Sequence, residues 1–302
     1  MMPPVTAPHP ANTTTSAGRS MSGDPDVGLL GPLEVGSLYG GGPVSAPKHR
    51  HVLALLLLGA GRVVSIDAFV SELWDDRPPA SYPTTLQTYI YQLRRRPLFG
   101  SDGEIVTHRQ GYALLIDQRR LDFVAAEEHL RAGDELAKAR PEEAVTCYER
   151  ALGLWRGPTL ADVSCGPITS AAAVRLDQHR VTTQERRVAA LLGLGQVTRA
   201  IAETKALVIR QPHNEVLHGV LMRALAARGR RYEALDRYSR FRVSLHEQLG
   251  VRPSLAMRVL HQRVLETDVV AQMSENSGGR SARSTLGALP PSSKPPTAGR
   301  RL

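Results

Sequence analysis

Apolar positions along this chain keep two different rhythms, and the change falls near residue 120. From 27 to 120, short apolar runs alternate with helix-spaced stretches. From 121 to 268, nearly every apolar residue recurs at three- and four-residue intervals among Ala, Leu and Arg. In the first part, VGLLGPLEV predicts an apolar strand, and GGGPVSA a turn leading into a short second strand. SAPKHRHVLALLLLGAG predicts a helix that starts at Ser45 or Ala46, carries Pro47 where a missing N–H costs little, and ends on glycines. RVVS predicts a short strand. SIDAFVSELWDD predicts a second helix capped by Ser65, with Ile66, Phe69, Val70 and Leu73 on one face. SYPTTLQTYIYQLRRRP predicts a third, which Pro97 should end early. GEIVTHRQGYALLID holds two alternating runs around RQG and predicts a β-hairpin.

The second part contains a repeat. Ala144, Tyr148 and Ala151 recur as Ala200, Thr204 and Leu207, and again as Ala234, Tyr238 and Phe241. The last two sets are offset by 34 residues, the tetratricopeptide period, whereas the first two are offset by 56. Some 22 extra residues therefore fall within PTLADVSCGPITSAAAVRLDQH. A small residue opening each set lets a paired helix approach, and the bulkier ones fill the groove. Pro158 and Pro212 act as helix stops.

Composition adds boundaries. Residues 1–26 and 269–302 are rich in Pro, Ser and Thr without apolar period, and read as disordered tails. Domains are thus expected over 27–120 and 121–268. The two cysteines, Cys147 and Cys165, make neither a disulfide framework nor a zinc site, and in the absence of a secretory signal read as free thiols in the cytoplasm. VLALLLLGA is too short to cross a bilayer and reads as a buried helix, so no membrane role is expected. Net charge is +9, which favours an anionic partner, nucleic acid being the commonest. Within 27–120, however, ten Lys and Arg meet eight Asp and Glu. The cations gather at 48–50, 94–96 and 109, a local footprint rather than a diffuse one.

No phosphate-loop, dinucleotide-binding or zinc-protease motif is present, so neither an enzyme, a cofactor nor a metal site is expected. On a helical wheel of the third helix, Leu86, Tyr89, Ile90 and Leu93 share a buried side. Thr84, Thr88, Tyr91 and Arg95 face away, flanked by Gln87 and Gln92. These residue types suit the major groove, where Thr and Gln bond base edges and Arg reads guanine or holds phosphate. Thr85 joins them as a DNA-binding candidate, and Arg94 and Arg96 project toward groove walls. His108 and Arg109 tip the hairpin. Lys48, His49 and Arg50 stand at the start of the first helix, a favourable place for phosphate. Taken alone, the third helix reads first as a solvated amphipathic helix whose arginines answer its dipole, and the hairpin behind it changes that balance. Three helices followed by a basic-tipped hairpin are the layout of a winged helix-turn-helix, whose third helix enters the major groove. A protein-interaction module and an RNA-binding regulator remain the alternatives at this point.

The motifs, in order, resemble a known family. LGPLEV, PKHRHVLALLLLGAGRVVSIDAFVSELWDDRPPAS, TLQTYIYQLRRR and IVTHRQGYALLID are similar to the DNA-binding half of the Streptomyces antibiotic regulatory proteins of the AfsR type. ALGLWRGPTLADV, RGRRYEALDRYSRFRVSLHEQLGVRPS and LHQRVLE are similar to their bacterial transcriptional activator domain. The resemblance spans about 27–266. It implies an α+β domain, an OmpR/PhoB-like winged helix with a small N-terminal sheet, followed by an all-α, TPR-like helical bundle. It further implies binding to direct repeats overlapping the −35 element of promoter DNA and recruitment of RNA polymerase holoenzyme with its sigma factor. The implied assembly is a homodimer set side by side on the repeats, activating an antibiotic biosynthetic cluster. The wing departs from the family pattern at Gln110, where a proline is usual.

Overall fold

The computed structural model describes residues 25–35 and 42–266. The expected tails lie outside the described residues, apart from Pro25 and Asp26; Asp26 is ion-paired with Arg120 at 2.7 Å. The chain divides into two compact units. The first runs to Leu136 and includes Thr146–Gln184; the second comprises Ala137–Val145 and the residues from Glu185 onward.

In the first unit, helix α1 (Pro47–Leu58) has Ala46 as N-cap and Pro47 at its first position. Its residues His51 to Leu57 are all buried. A helix apolar on every side must sit at the centre of its unit, and each fully buried Leu contributes roughly 1.5–3 kcal/mol. The three-residue strand β1 (Val63–Ser65) leads directly into α2 (Ile66–Trp74). The Ser65 hydroxyl accepts from the Ala68 amide at 3.1 Å, the cap that the sequence predicted. Helix α3 (Tyr82–Arg94) buries Leu86, Ile90 and Leu93. It stops at Arg94, as expected from the restriction that Pro97 places on the residues before it. Strands β2 (Gly103–His108) and β3 (Gly111–Ile116) form the hairpin, and β1 adds to β3, giving an antiparallel sheet of order β1-β3-β2. The register pairs Ile105 with Leu114 and Val64 with Tyr112. Gly111 is required by close approach: a Cβ there would lie 1.9 Å from the Val64 carbonyl oxygen.

The expected first strand is the clearest difference. Residues 27–35 form only isolated bridges, Val27 with Leu121 and Gly28 with Glu34. Residues 43–45 carry no strand at all. The backbone donors are bound by carboxylates instead. Asp122 accepts from the Leu29 and Leu30 amides at 2.8 and 2.9 Å, and Asp162 from the Leu33 amide at 2.8 Å. An amide spent on a side chain cannot extend a ladder, so the N-terminal sheet implied by the family resemblance is reduced to these bridges among the described residues.

A second buried carboxylate belongs to Glu72, whose side chain is fully shielded from solvent. It accepts from the Gly166, Ile168 and Thr169 amides and from the Thr169 hydroxyl, and it contacts His51 Nε2 at 2.8 Å. These amides open α6 (Pro167–Gly193), so α2 supplies the cap for a helix almost one hundred residues away. Burial pushes the Glu72 carboxyl up, but the hydrogen bonds from His51, Thr169 and Ile168 outweigh it and lower its pKa to about 2. Asp122 has the opposite balance: burial prevails over the Leu29 and Leu30 amides and Arg156, and its pKa is raised.

The remaining helices are α4 (Asp122–Leu136), α5 (Pro141–Gly153), α7 (Val197–Arg210), α8 (Glu215–Ala227) and α9 (Arg231–Leu249), with a further helical stretch at 255–266. All three sets of the repeat are helical. Ala144, Ala151, Ala200, Thr204 and Ala234 are completely buried, and Tyr148 and Phe241 nearly so. In the second unit, α7 with α8 and α9 with 255–266 are two helix pairs whose starts, 197 and 231, keep the 34-residue spacing. The extra residues between the first two sets form the irregular stretch 154–166 and lengthen α6 to 27 residues. Trp155 joins a core cluster with Leu30, Ala126 and Leu176, so its role is packing.

Candidate nucleic-acid interface

Helix α3 lies in the first unit with one face in the core and the other in solvent. Thr84, Gln87, Thr88, Tyr91 and Arg95 are all exposed, and Gln92 stands beside them. The Thr88 hydroxyl donates to the Thr84 carbonyl at 2.9 Å, and the Thr85 hydroxyl to that of Ser81 at 3.0 Å. Both hydroxyl protons are therefore spent on the helix backbone. What Thr88 presents outward is lone pairs, suited to an amino group on a base edge. Thr85 is half-buried and stands at the margin of this face. Tyr91 is 56% exposed, and the Arg95 guanidinium lies 5.7 Å from its ring centroid. This stack holds an otherwise flexible arginine in place.

The arginine triplet divides its labour. Arg94 turns sideways: its Nε donates to the Ile105 carbonyl and its Nη2 to the Thr107 hydroxyl, both at 2.8 Å. Its guanidinium also lies 5.9 Å from the Tyr112 ring centroid. Arg94 thus clips the helix to the hairpin. Arg96 turns back and donates to the Pro43 carbonyl at 3.0 Å, keeping its remaining donors. Arg95 alone of the three has no hydrogen bond or ion pair to the described residues. At the hairpin tip, His108 and Arg109 are exposed and likewise without such partners among the described residues.

The cluster at the start of α1 is built differently from the expectation. Arg50 donates to the carbonyls of Val44 and Leu33, both at 2.9 Å, and pairs with Asp162, so its fork is filled from within the first unit. Lys48 donates to the Leu73 carbonyl at 2.9 Å. His49 meets Tyr89 edge-on at 5.2 Å, and its Nε2 is shielded without a partner. Burial, and then Arg96, lower its pKa, which keeps the ring neutral near pH 7. The structure thus groups Thr84, Gln87, Thr88, Tyr91 and Arg95 on one surface, with His108 and Arg109 at the wing, and gives Arg50 an internal role. Sequence reasoning missed the clip partner Thr107, whose position opposite Tyr112 on the hairpin becomes visible only from the register. Among the described residues no group of His, Cys, Asp or Glu could hold a metal ion, and no helix is long and apolar enough to cross a membrane.

A three-helix unit with a hairpin wing, an outward polar helix face and an appended repeat-type helical domain defines a winged-helix transcriptional regulator. Comparison with known proteins agrees. Residues 44–114 match the model of the transcriptional regulatory protein C-terminal domain, and 121–265 that of the bacterial transcriptional activator domain. The chain belongs to the Streptomyces antibiotic regulatory protein family of transcriptional regulators. It is 36% identical over 260 residues to the regulatory protein DnrI of Streptomyces peucetius, covering 80% of this chain and 92% of that one. It is 32% identical to the transcriptional regulator RedD of Streptomyces coelicolor, covering 82% and 72%. The solved structure of Mycobacterium tuberculosis EmbR in complex with a low-affinity phosphopeptide superposes with a TM-score of 0.72 at 30% identity. That match covers 80% of this chain and 65% of EmbR.

Proposed function

We propose that this protein is a sequence-specific DNA-binding activator, without catalytic activity, that binds direct repeats near the −35 element and recruits RNA polymerase holoenzyme through its sigma factor to an antibiotic biosynthetic cluster. Two protomers sit side by side on the repeats, in the cytoplasm. The observation that carries this reading is the solvent face of α3, where Thr88, Tyr91 and Arg95 are exposed on a helix clipped to the wing by Arg94. The family membership and the relatives named DnrI and RedD support it. Thr84, Gln87, Thr88 and Tyr91 read bases. Arg95 contacts guanine or phosphate, and Arg96, His108 and Arg109 hold the flanking backbone. Lys48 contributes charge at the margin.

DNase footprinting of the full chain on the promoters around its own gene tests the proposal; protection of a repeated motif upstream of −35 is expected, and protection independent of sequence would overturn it. Arg95→Ala should weaken operator binding by about 1–3 kcal/mol in a gel-shift titration, with an unchanged melting temperature. Wild-type affinity in that variant would refute the helix orientation. Raising salt from about 0.1 to 0.2 M should cost roughly tenfold in affinity, the slope expected for about four neutralised phosphates. A flat salt response would exclude a phosphate footprint.

A further inference from the structure

The chain's positive charge is concentrated away from the winged helix. Residues 185–266 carry fifteen Lys and Arg against seven Asp and Glu, a larger excess than 27–120 holds. Much of the acid is consumed internally: Glu203 pairs with Arg187, Glu233 with Arg230, and Asp236 with Arg240. Several cations are left over, and helix geometry places two of them together.

Helix α9 turns Ala234, Tyr238, Phe241 and Leu245 inward. The helix at 255–266 lies along it, in a register fixed at two points. Arg231 donates to the carbonyls of Val264 and Leu265 at 2.9 and 2.7 Å, and the Tyr238 ring stacks on His261 with centroids 4.0 Å apart. The pairing runs antiparallel, so Arg242, one turn beyond Tyr238, stands opposite the turn that carries Arg258. The Arg242 charge is felt across the seam, where it adds to burial in lowering the His261 pKa. Arg242 and Arg258 are exposed and have no ion pair among the described residues. Exposed His246 extends the same flank of α9. The nearest acid on α9, Glu247, stands about 140° round the helix from Arg242. Where α9 ends, Leu249 and Val251 are 54% and 48% exposed, and Arg252 follows them in the exposed connection.

We propose that this seam, with Arg242 and Arg258 as its charges and Leu249 and Val251 as its apolar edge, is the docking surface for an acidic protein partner bearing apolar side chains. The proposal rests on the reading that the protein recruits polymerase, and it assigns the surface that does so. Cations beside exposed aliphatic side chains suit a protein better than duplex DNA, whose backbone offers phosphate but little to bury against Leu and Val.

The test uses the full chain on operator DNA, with purified RNA polymerase holoenzyme as probe and a supershift as readout. The double variant R242E/R258E should bind operator within about twofold of wild type but capture holoenzyme at least tenfold more weakly. A second double variant, K205E/R210E, makes the same charge change on exposed positions of α7 and should capture normally. Circular dichroism checks folding, and R242Q/R258Q replaces the reversal if the latter unfolds. Undiminished capture by the seam variant overturns the proposal, as does an equal loss in the α7 variant, which would mark a general charge effect. A parallel fall in operator affinity would make the seam a DNA contact instead. Failure of the wild-type complex to capture holoenzyme would refute recruitment itself, and the seam assignment with it.

Discussion

Glu72→Ala is expected to destabilise the first unit by about 3–5 kcal/mol, the range for removing one partner of a buried charged network. The side chain is inaccessible to solvent, and its loss takes the carboxylate acceptor from the Ile168 and Thr169 amides, the Thr169 hydroxyl and the His51 ring, and leaves the Gly166 amide with only its longer contacts to the Thr169 hydroxyl and His51 Nε2, both at 3.1 Å. Water cannot easily replace it: at Gly166 a mere Cβ would lie 2.3 Å from the Glu72 carbonyl oxygen, so the surroundings are already in contact. Urea unfolding followed by tryptophan fluorescence measures the effect, because both tryptophans, Trp74 and Trp155, lie in the first unit. Glu72→Gln keeps the shape and one acceptor and should lose less. A loss below about 1 kcal/mol for the alanine variant would show that the network is not a stabilising cap. The pH response has a definite sign. A carboxyl held at about 2 in the folded state contributes fully above its ordinary value near 4.5, and its contribution is withdrawn as pH falls toward 2. The network should therefore survive mild acid.

This network also marks where the sequence stopped being legible. Phe69, Val70 and Leu73 announce the buried face of α2 by their spacing, and Ser65 announces its start. Glu72 stands on that same face, three residues after Phe69. Periodicity alone rates it a solvated glutamate, since its partners are amides from residues 166–169, and a backbone amide leaves no signature in a sequence. The same reasoning explains the strand expected at 27–35. VGLLGPLEV has strand composition, but ladder formation depends on where its amides are satisfied, and the Asp122 and Asp162 carboxylates are remote in the chain. The cluster at 48–50 was legible as charge and opaque as function, because only tertiary structure turns Arg50 onto Asp162. What could be read was whatever rests on local spacing: the inward set Leu86, Ile90 and Leu93, the outward set of α3, the hairpin, and the 34-residue repeat. The outward set was legible for a physical reason. A helix with Thr, Gln, Tyr and Arg on one side and Leu and Ile on the other has one way to lie against a core.

The second large effect is expected in the second unit, under mild acid. His218 is buried on α8, with its ring stacked on Phe241 at a centroid distance of 4.0 Å. Its Nε2–H donates to the Pro212 carbonyl at 3.0 Å, which leaves Nδ1 shielded and without a partner. Protonation would place a charge and an unmatched N–H in that site. Burial accordingly lowers the His218 pKa to about 4; Arg237 and His213 act in the same direction, against the Pro212 carbonyl and Glu215. The unfolded chain takes up this proton near pH 6.5 and the folded one only near 4, so stability falls steadily as pH drops between those values, by about 3 kcal/mol in all. The loss belongs to the second unit, which contains no tryptophan. At pH 5 the helical signal in circular dichroism should therefore begin to disappear at lower urea than the fluorescence transition of the first unit, and near pH 7.5 the two should draw together. His218→Gln retains a donor for Pro212 and cannot titrate, so it should lower stability at neutral pH yet remove most of the acid slope. Transitions separated equally at both pH values, or a glutamine variant with the wild-type slope, would show that some other group governs the acid response of this unit.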